Sequence, residues 1–365
     1  MTATTAYLHL SEREVVSTGV TAPAQVTALC EEVFHLLARG DYLMGGPHGD
    51  SHGLGLDFPE SSPFPGMPLA GPDRRFVTMP AYLGGRFDVC GNKWYGSNHA
   101  NAAAGLPRSV LTLMLNDKST GEPLCLMSAN AISAARTGAV PAVAAQHLAP
   151  EARTLAVVGC GVIGRAALVA LLHRLPLVRE VRFFDVVEAQ ARNLAHDPAL
   201  TGTTVVVCTS AAQCVDGADV VSVAASRSHP LHLPAAAFSP TATILLSGPL
   251  TGDDDLWRTS TVVLDHVGLH EEYVREASVA PDPERRLSGQ IGGPLYRLAA
   301  RGEVAPLADL TDLPGLVSGS VPMPDDRGRR VVVASGMAVL DVAVGHEAWT
   351  RARASGTGTP LDLWG

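Results

Sequence analysis

Of the 365 residues, 46% are hydrophobic and 17% charged, a globular balance that excludes the disordered class. A chain of this length is expected to form two domains with ample core. The formal net charge of −9, with no basic cluster to reverse it, argues against nucleic acid and against an anionic membrane surface.

The opening MTATTAYLHLSEREVV has no charged start followed by an apolar run, and no apolar stretch is long enough to span a bilayer. A cytoplasmic protein is therefore expected. Six scattered cysteines without a C-x-x-C pair read as buried, reduced thiols. Residues 22–39, APAQVTALCEEVFHLLAR, carry apolar side chains at helical spacing and stop at Gly40. Next comes a segment crowded with Gly, Pro, Asp and Ser, up to about residue 73, which reads as a binding loop or lid. RFVTMPAYL, FDVCGNKWYGS, SVLTLMLND and EPLCLMSA then read as strands, the last two joined as a hairpin by the polar turn 118–121. The Ala-rich stretch 131–148 reads as a helix that Pro141 should kink or divide.

After Pro150 the pattern changes to strand–helix alternation, which means a parallel sheet covered by helices. SAAQCVDG reads as a connector between two of its strands, and VVVASGMAVLDVAVGHEAWTRARA ends the pattern with a short strand and a helix. The run Gly159-Cys160-Gly161-Val162-Ile163-Gly164 follows the apolar strand LAVV and opens the helix RAALVALL, the context a dinucleotide-binding loop requires. The first glycine permits the tight turn and the second lets the backbone approach a pyrophosphate. The third allows the helix to pack on the strand. A bare glycine-rich turn is the bland alternative. Against it, Asp185 ends the next strand about twenty residues on, where an acid meets ribose hydroxyls and repels a 2′-phosphate. NAD is thus expected as cofactor, with Ala224, Ala225 and Ser226 bordering it. The 13 histidines form no H-E-x-x-H or similar cluster, so no metal is expected.

The phrases RRFVTMPAYLGGRFDVCGNKWYGSN, GLPRSVLTLMLNDKSTGEPLCLMSA and AISAARTGAVPAVAA, followed by VVGCGVIG, resemble the ornithine cyclodeaminase/mu-crystallin family. Within it, MPAYLGG…KW and NDKSTGEP are most similar to the NAD-dependent branch that oxidises an N-(2-amino-2-carboxyethyl)-glutamate for siderophore synthesis. The resemblance implies an α/β protein with a Rossmann-type parallel sheet, residues 151–327. An α+β substrate and dimerisation domain, residues 1–150, would be completed by residues 328–365. It also implies a homodimer and an active site in the cleft between domains. Lys93 matches the family lysine that exchanges the proton, and Arg136 matches the arginine that clamps the substrate carboxylate. Arg75, His52 and Arg108 are further candidates for substrate binding, alongside Asn98. The Gly336-Met337 turn and Asp341 resemble the family segment near the nicotinamide.

One departure bears on activity. Cyclodeaminases carry an aspartate where this chain has Pro249 or Leu250, and Asp253, Asp254 and Asp255 follow in another register. The expected function is an NAD-dependent oxidoreductase acting on the C–N bond of an amino acid or N-substituted amino acid. The competing readings are an ornithine or lysine cyclodeaminase that recycles its hydride, and a crystallin-like protein that binds the dinucleotide without turnover.

Overall fold

The computed structural model describes residues 6–225, 231–324 and 328–364. The chain is an α/β protein of two compact units. One comprises Met1–Gln25, Arg39–Ser133 and Met337–Gly365; the other comprises Val26–Ala38 and Ala134–Gly336.

The first unit is built on a mixed, mainly antiparallel sheet. Its strands run in the order Thr359–Asp362, Ala6–Leu10, Pro123–Ser128, Ser109–Asn116, Val89–Ser97, Arg75–Leu83 and Tyr42–Met44, and Leu54–Asp57 also pairs with Arg75–Leu83. The glycine- and proline-rich segment therefore contributes two short strands to this sheet rather than remaining wholly irregular. Burial alternates along Arg75–Leu83, with Val77, Met79, Ala81 and Leu83 turned inward, as a period-two strand requires. The hairpin turn is set by Asp117, whose Oδ1 accepts the backbone N–H of Ser119 and Thr120, and by Gly121 in the left-handed region. Helix Ala338–Ser355 lies on the inward face, so closely that a Cβ on Gly91 would come within 2.8 Å of Val342 Cγ2.

The second unit holds an all-parallel sheet. Its order is Thr204–Val207, Glu180–Phe184, Thr154–Val158, Val220–Val223, Thr243–Leu246, Arg330–Val333, Thr261–Leu264 and Thr311–Asp312. Val220–Val223, Thr243–Leu246 and Arg330–Val333 are buried at every position, so their sequences are mostly apolar and do not alternate. Strand order reverses direction beside Thr154–Val158, which places a switch point between that strand and Val220–Val223. The expected connector at SAAQCVDG contains a short helix, Ala211–Val215, capped by Ser210 Oγ.

Pro141 neither ends nor divides its helix, which runs unbroken from Asn130 to Leu148. An interior proline costs about 3 kcal/mol. Ala139, Val140, Ala142, Val143, Ala144 and Ala145 around it are all buried, and each large apolar side chain returns roughly 1.5–3 kcal/mol on burial. Tertiary packing outweighs the local penalty. The helix also abuts Val162–Arg174 at Gly138, where a Cβ would fall 2.3 Å from the Ala166 carbonyl carbon. Helix propensity alone favours alanine over glycine by about 1 kcal/mol. Backbone cannot yield as a side chain can, so Gly138→Ala should instead destabilise the protein by about 1–3 kcal/mol in denaturant unfolding. An unchanged midpoint would mean that the two helices part freely.

Candidate functional site

The glycine loop leaves strand Thr154–Val158 at the switch point. Gly159 has φ +89°, and a Cβ on it would lie 2.7 Å from the Ala224 carbonyl and 2.9 Å from Ala225 N. Gly164 is held tighter still, since a Cβ on it would lie 1.9 Å from Gly159 O. Gly161 differs from both, since a Cβ there meets nothing within 4 Å. Two of the glycines are therefore required by protein packing, and the middle one faces open space where a phosphate can approach the backbone. Gly161 caps helix Val162–Arg174 without a side-chain hydrogen bond, leaving the helix N-terminus to an anion. Val162 at that terminus is exposed, and Ile163 beside it is half-buried.

Asp185 does structural work in the same loop. Its Oδ2 accepts the Cys160 N–H at 2.7 Å and its Oδ1 accepts the Val187 N–H at 2.8 Å. A carboxylate has about four acceptor positions, so two remain for sugar hydroxyls. Arg182 is engaged by Glu180 and the Asp216 carbonyl, and Arg192 by Glu188, which leaves Asp185 to set the local charge. Burial pushes the Cys160 thiol up to about 12, so it sits in the loop as an inert small side chain. Ala224 and Ala225 lie against Gly159, and Gly248 presses on them from the other side, 2.3 Å from Ala225 O to its notional Cβ. Ser226 lies outside the described residues. Sequence reasoning passed over Gly248 and its neighbour Ser247, whose buried Oγ has no partner among the described residues. The signal was available in the SGP triplet that ends strand Thr243–Leu246.

In the other unit, Lys93 lies on Val89–Ser97, a strand paired on both sides, with Met79 and Leu113 as its neighbours in register. It is not a solvated edge lysine. Only 2% of its side chain is exposed, and Nζ lies 2.7 Å from Oδ2 of the fully buried Asp341. Burial disfavours an ammonium and an adjacent carboxylate favours it, so the two effects oppose each other at Nζ. Along the same sheet face, Arg75 and Arg108 both converge on Asp73, at 3.5 and 3.2 Å. Asp73 takes up φ +58° to meet them and was not singled out from sequence. Arg75 Nε is buried without an acceptor among the described residues. His52 is half-buried just before strand Leu54–Asp57, and Asn98 caps the short turn of helix His99–Ala104.

Arg136, on helix Asn130–Leu148, is buried as well, and its Nη1 lies against Gly336, where a Cβ would come within 2.2 Å. At the departure noted in the sequence, Leu250 is buried and pairs with Leu231. The acids that follow are committed elsewhere. Asp253 accepts from Ala235 N–H, Asp254 binds Arg297 at 2.5 Å, and Asp255 binds Arg258. Hydrogen bonding from Arg297 holds the Asp254 carboxyl below the usual range.

The Lys93–Asp341 pair makes a stability prediction. Asp341→Leu and Lys93→Met each remove one charge of the pair and should each cost about 3–5 kcal/mol in denaturant unfolding, whereas the two together should recover most of that loss. Additive losses in this double-mutant cycle would mean that the two charges do not depend on each other.

A profile of the ornithine cyclodeaminase/mu-crystallin family matches residues 20–355. The N-((2S)-2-amino-2-carboxyethyl)-L-glutamate dehydrogenase of Staphylococcus aureus is 25% identical over 298 residues, 80% of this chain and 82% of its own. The ornithine cyclodeaminase of Agrobacterium fabrum is 24% identical over 277 residues, 75% of this chain and 72% of its own. An archaeal alanine dehydrogenase, solved as a dimer with bound NAD, superposes with a TM-score of 0.78 at 23% identity, covering 98% of this chain and 100% of that one. With the glycine loop, the two compact units and a match spanning most of its length, the chain belongs to the ornithine cyclodeaminase/mu-crystallin family.

Proposed function

We propose that the protein is an NAD-dependent oxidoreductase acting on the C–N bond of an amino acid or N-substituted amino acid. The observation that carries this reading is the buried Lys93–Asp341 pair, an ionisable couple retained where apolar side chains would fill the space at lower cost. The family, the named activity of the Staphylococcus aureus relative and the NAD held by the archaeal alanine dehydrogenase support it. NAD, when bound, supplies the hydride acceptor. Gly159, Gly161 and Gly164 leave room for its pyrophosphate, Val162 and Ile163 present the helix terminus, and Asp185 takes the ribose. The carboxylate of Asp185 favours NAD over its 2′-phosphorylated form.

Arg136 orients the substrate carboxylate, and its planar fork suits that group better than a lysine would. Lys93 takes a proton as the amine becomes an imine and returns one as water adds, with Asp341 balancing its charge. Arg75, whose Nε has no acceptor among the described residues, Arg108 and His52 serve the rest of the substrate. Cyclodeamination is the weaker reading. Pro249 and Leu250 offer no carboxylate to handle an amine, and Asp253, Asp254 and Asp255 are held in other contacts. NAD with a panel of amino acids, including ornithine and N-substituted glutamates, should give a stoichiometric rise in NADH absorbance with one of them. Lys93→Met should lower kcat by about 10²–10⁴-fold without loosening NAD, the range for a lost proton-transfer group. Ammonia release without net NADH would favour the cyclodeaminase, and NAD binding without turnover the crystallin-like protein.

We also propose that the protein is a homodimer. On the sheet face opposite Lys93, Leu54, Leu56, Phe76, Trp94, Val110 and Met114 are all exposed, and the Phe76 and Trp94 rings stack at 5.6 Å. An exposed antiparallel face normally alternates to polar side chains, and a contiguous apolar one marks an interface. The alanine dehydrogenase is a dimer, which supports the same arrangement. All six cysteines are free thiols, in keeping with a reducing, cytoplasmic setting. Trp94→Asp should shift the mass in light scattering from dimer to monomer, and a monomeric wild type would overturn the assignment.

A further inference from the structure

We infer that His270 is a positioning residue for Arg136, acting through Asp265 and the Gly336 turn, and this rests on the carboxylate-clamp role proposed above. Asp265 closes strand Thr261–Leu264, and the helix Val267–Ser278 that follows brings His270 back beneath it. The Asp265 carboxylate is fully buried. Its Oδ2 accepts the Gly336 N–H at 2.8 Å, and its Oδ1 lies 2.7 Å from His270 Nε2. His270 Nδ1 in turn lies 2.6 Å from the Tyr296 hydroxyl. His270 and Tyr296 are buried like Asp265.

The order of donors follows from the charges. Burial pushes the Asp265 carboxyl up, but the hydrogen bond and charge of His270, the Gly336 N–H and the neighbouring His266 outweigh it and hold the group below its ordinary range. Asp265 is an acceptor on both oxygens. Burial, with Tyr273 and Asp265 nearby, raises Tyr296 well above the usual phenol, so its hydroxyl stays neutral as the partner of His270 Nδ1. His270 Nε2–H then donates to Asp265. His266 Nδ1 accepts the Leu269 N–H, and His270 Nε2 is the hydrogen-bond partner of the second carboxylate oxygen. Without it, Asp265 can rotate about its side-chain bonds while keeping one acceptor on Gly336.

That rotation matters because of what Gly336 carries. It sits at φ +83°, and its Cα is flush against the Arg136 guanidinium. A side chain at this left-handed position would be strained and would push the Arg136 guanidinium aside. A shift of a few tenths of an ångström at Gly336 therefore moves a wall of the Arg136 site, and a bidentate carboxylate contact tolerates little displacement.

The test compares His270→Ala, His270→Gln, which restores an N–H toward Asp265, and Tyr296→Phe, which removes one hydroxyl and keeps the ring. With the substrate found in the NADH assay, His270→Ala should raise KM about tenfold, the worth of one buried hydrogen bond, with NAD affinity unchanged. Tyr296→Phe should raise it about threefold and His270→Gln should return it most of the way. A purely structural role would lower the melting temperature and the active fraction while leaving KM at its wild-type value, and that result overturns the inference. The ¹⁵Nε–H resonance of Arg136, assigned by its loss in Arg136→Lys, gives a readout free of turnover. Broadening or faster exchange in His270→Ala supports the positioning role even if no amino acid is oxidised, in which case the proposed activity alone fails. An unchanged resonance in an enzyme that turns over removes His270 from the clamp and leaves the activity standing. Tyr296→Phe carries the same comparison if His270→Ala does not fold.

Discussion

A lysine ammonium and an aspartate removed together from water impose more on this fold than any other contact in it. Each ion alone costs several kcal/mol to bury, and the pair is tolerable only at hydrogen-bond distance and in good geometry. Lys93 and Asp341 are 248 residues apart, so meeting that condition requires the last helix to return across the sheet and dock at a fixed height. One glycine on the sheet and one on the helix make the approach possible. Gly91 clears Val342, and Gly345 leaves room for Leu113. The strand that bears Lys93 is therefore central for two reasons: it has hydrogen-bonded neighbours on both sides, and a helix covers its charged position.

The second unit uses close backbone contact in a similar way. Gly159 and Gly164 bring strand, turn and helix together, and Gly138 brings the Arg136 helix onto that same helix. The arginine is thus referenced to the nucleotide loop through main chain rather than through flexible side chains. Arg136 meets a second rigid surface at Gly336, which Asp265 holds from below. Precision of this kind comes from omitted side chains as much as from those present.

What could be read from sequence follows how local the cause is. Gly159, Gly161, Gly164 and Asp185 were legible because strand, turn, helix and acid lie within one short stretch, and Arg75–Leu83 because period-two burial is written in its residues. Pro141 does not divide its helix because its cost is local, whereas the burial that outweighs it is tertiary. Strand Ala6–Leu10 went unread because its partners are Pro123–Ser128 and Thr359–Asp362, far along the chain. For the same reason, Asp341 as the partner of Lys93, Asp73 as the acid between Arg75 and Arg108, and the chain from Tyr296 to Gly336 are products of folding. No spacing rule announces them.

Asp185 has a consequence for redesign. Because its two oxygens already tie down Cys160 and Val187, the acid proposed to discriminate between dinucleotides is also a strut of the glycine loop. Preference and architecture share a residue. A replacement that only removes the negative charge unties the loop along with it, so a change of nucleotide preference in this scaffold calls for a side chain with two acceptors and no charge, or for new acceptors supplied from a neighbouring position.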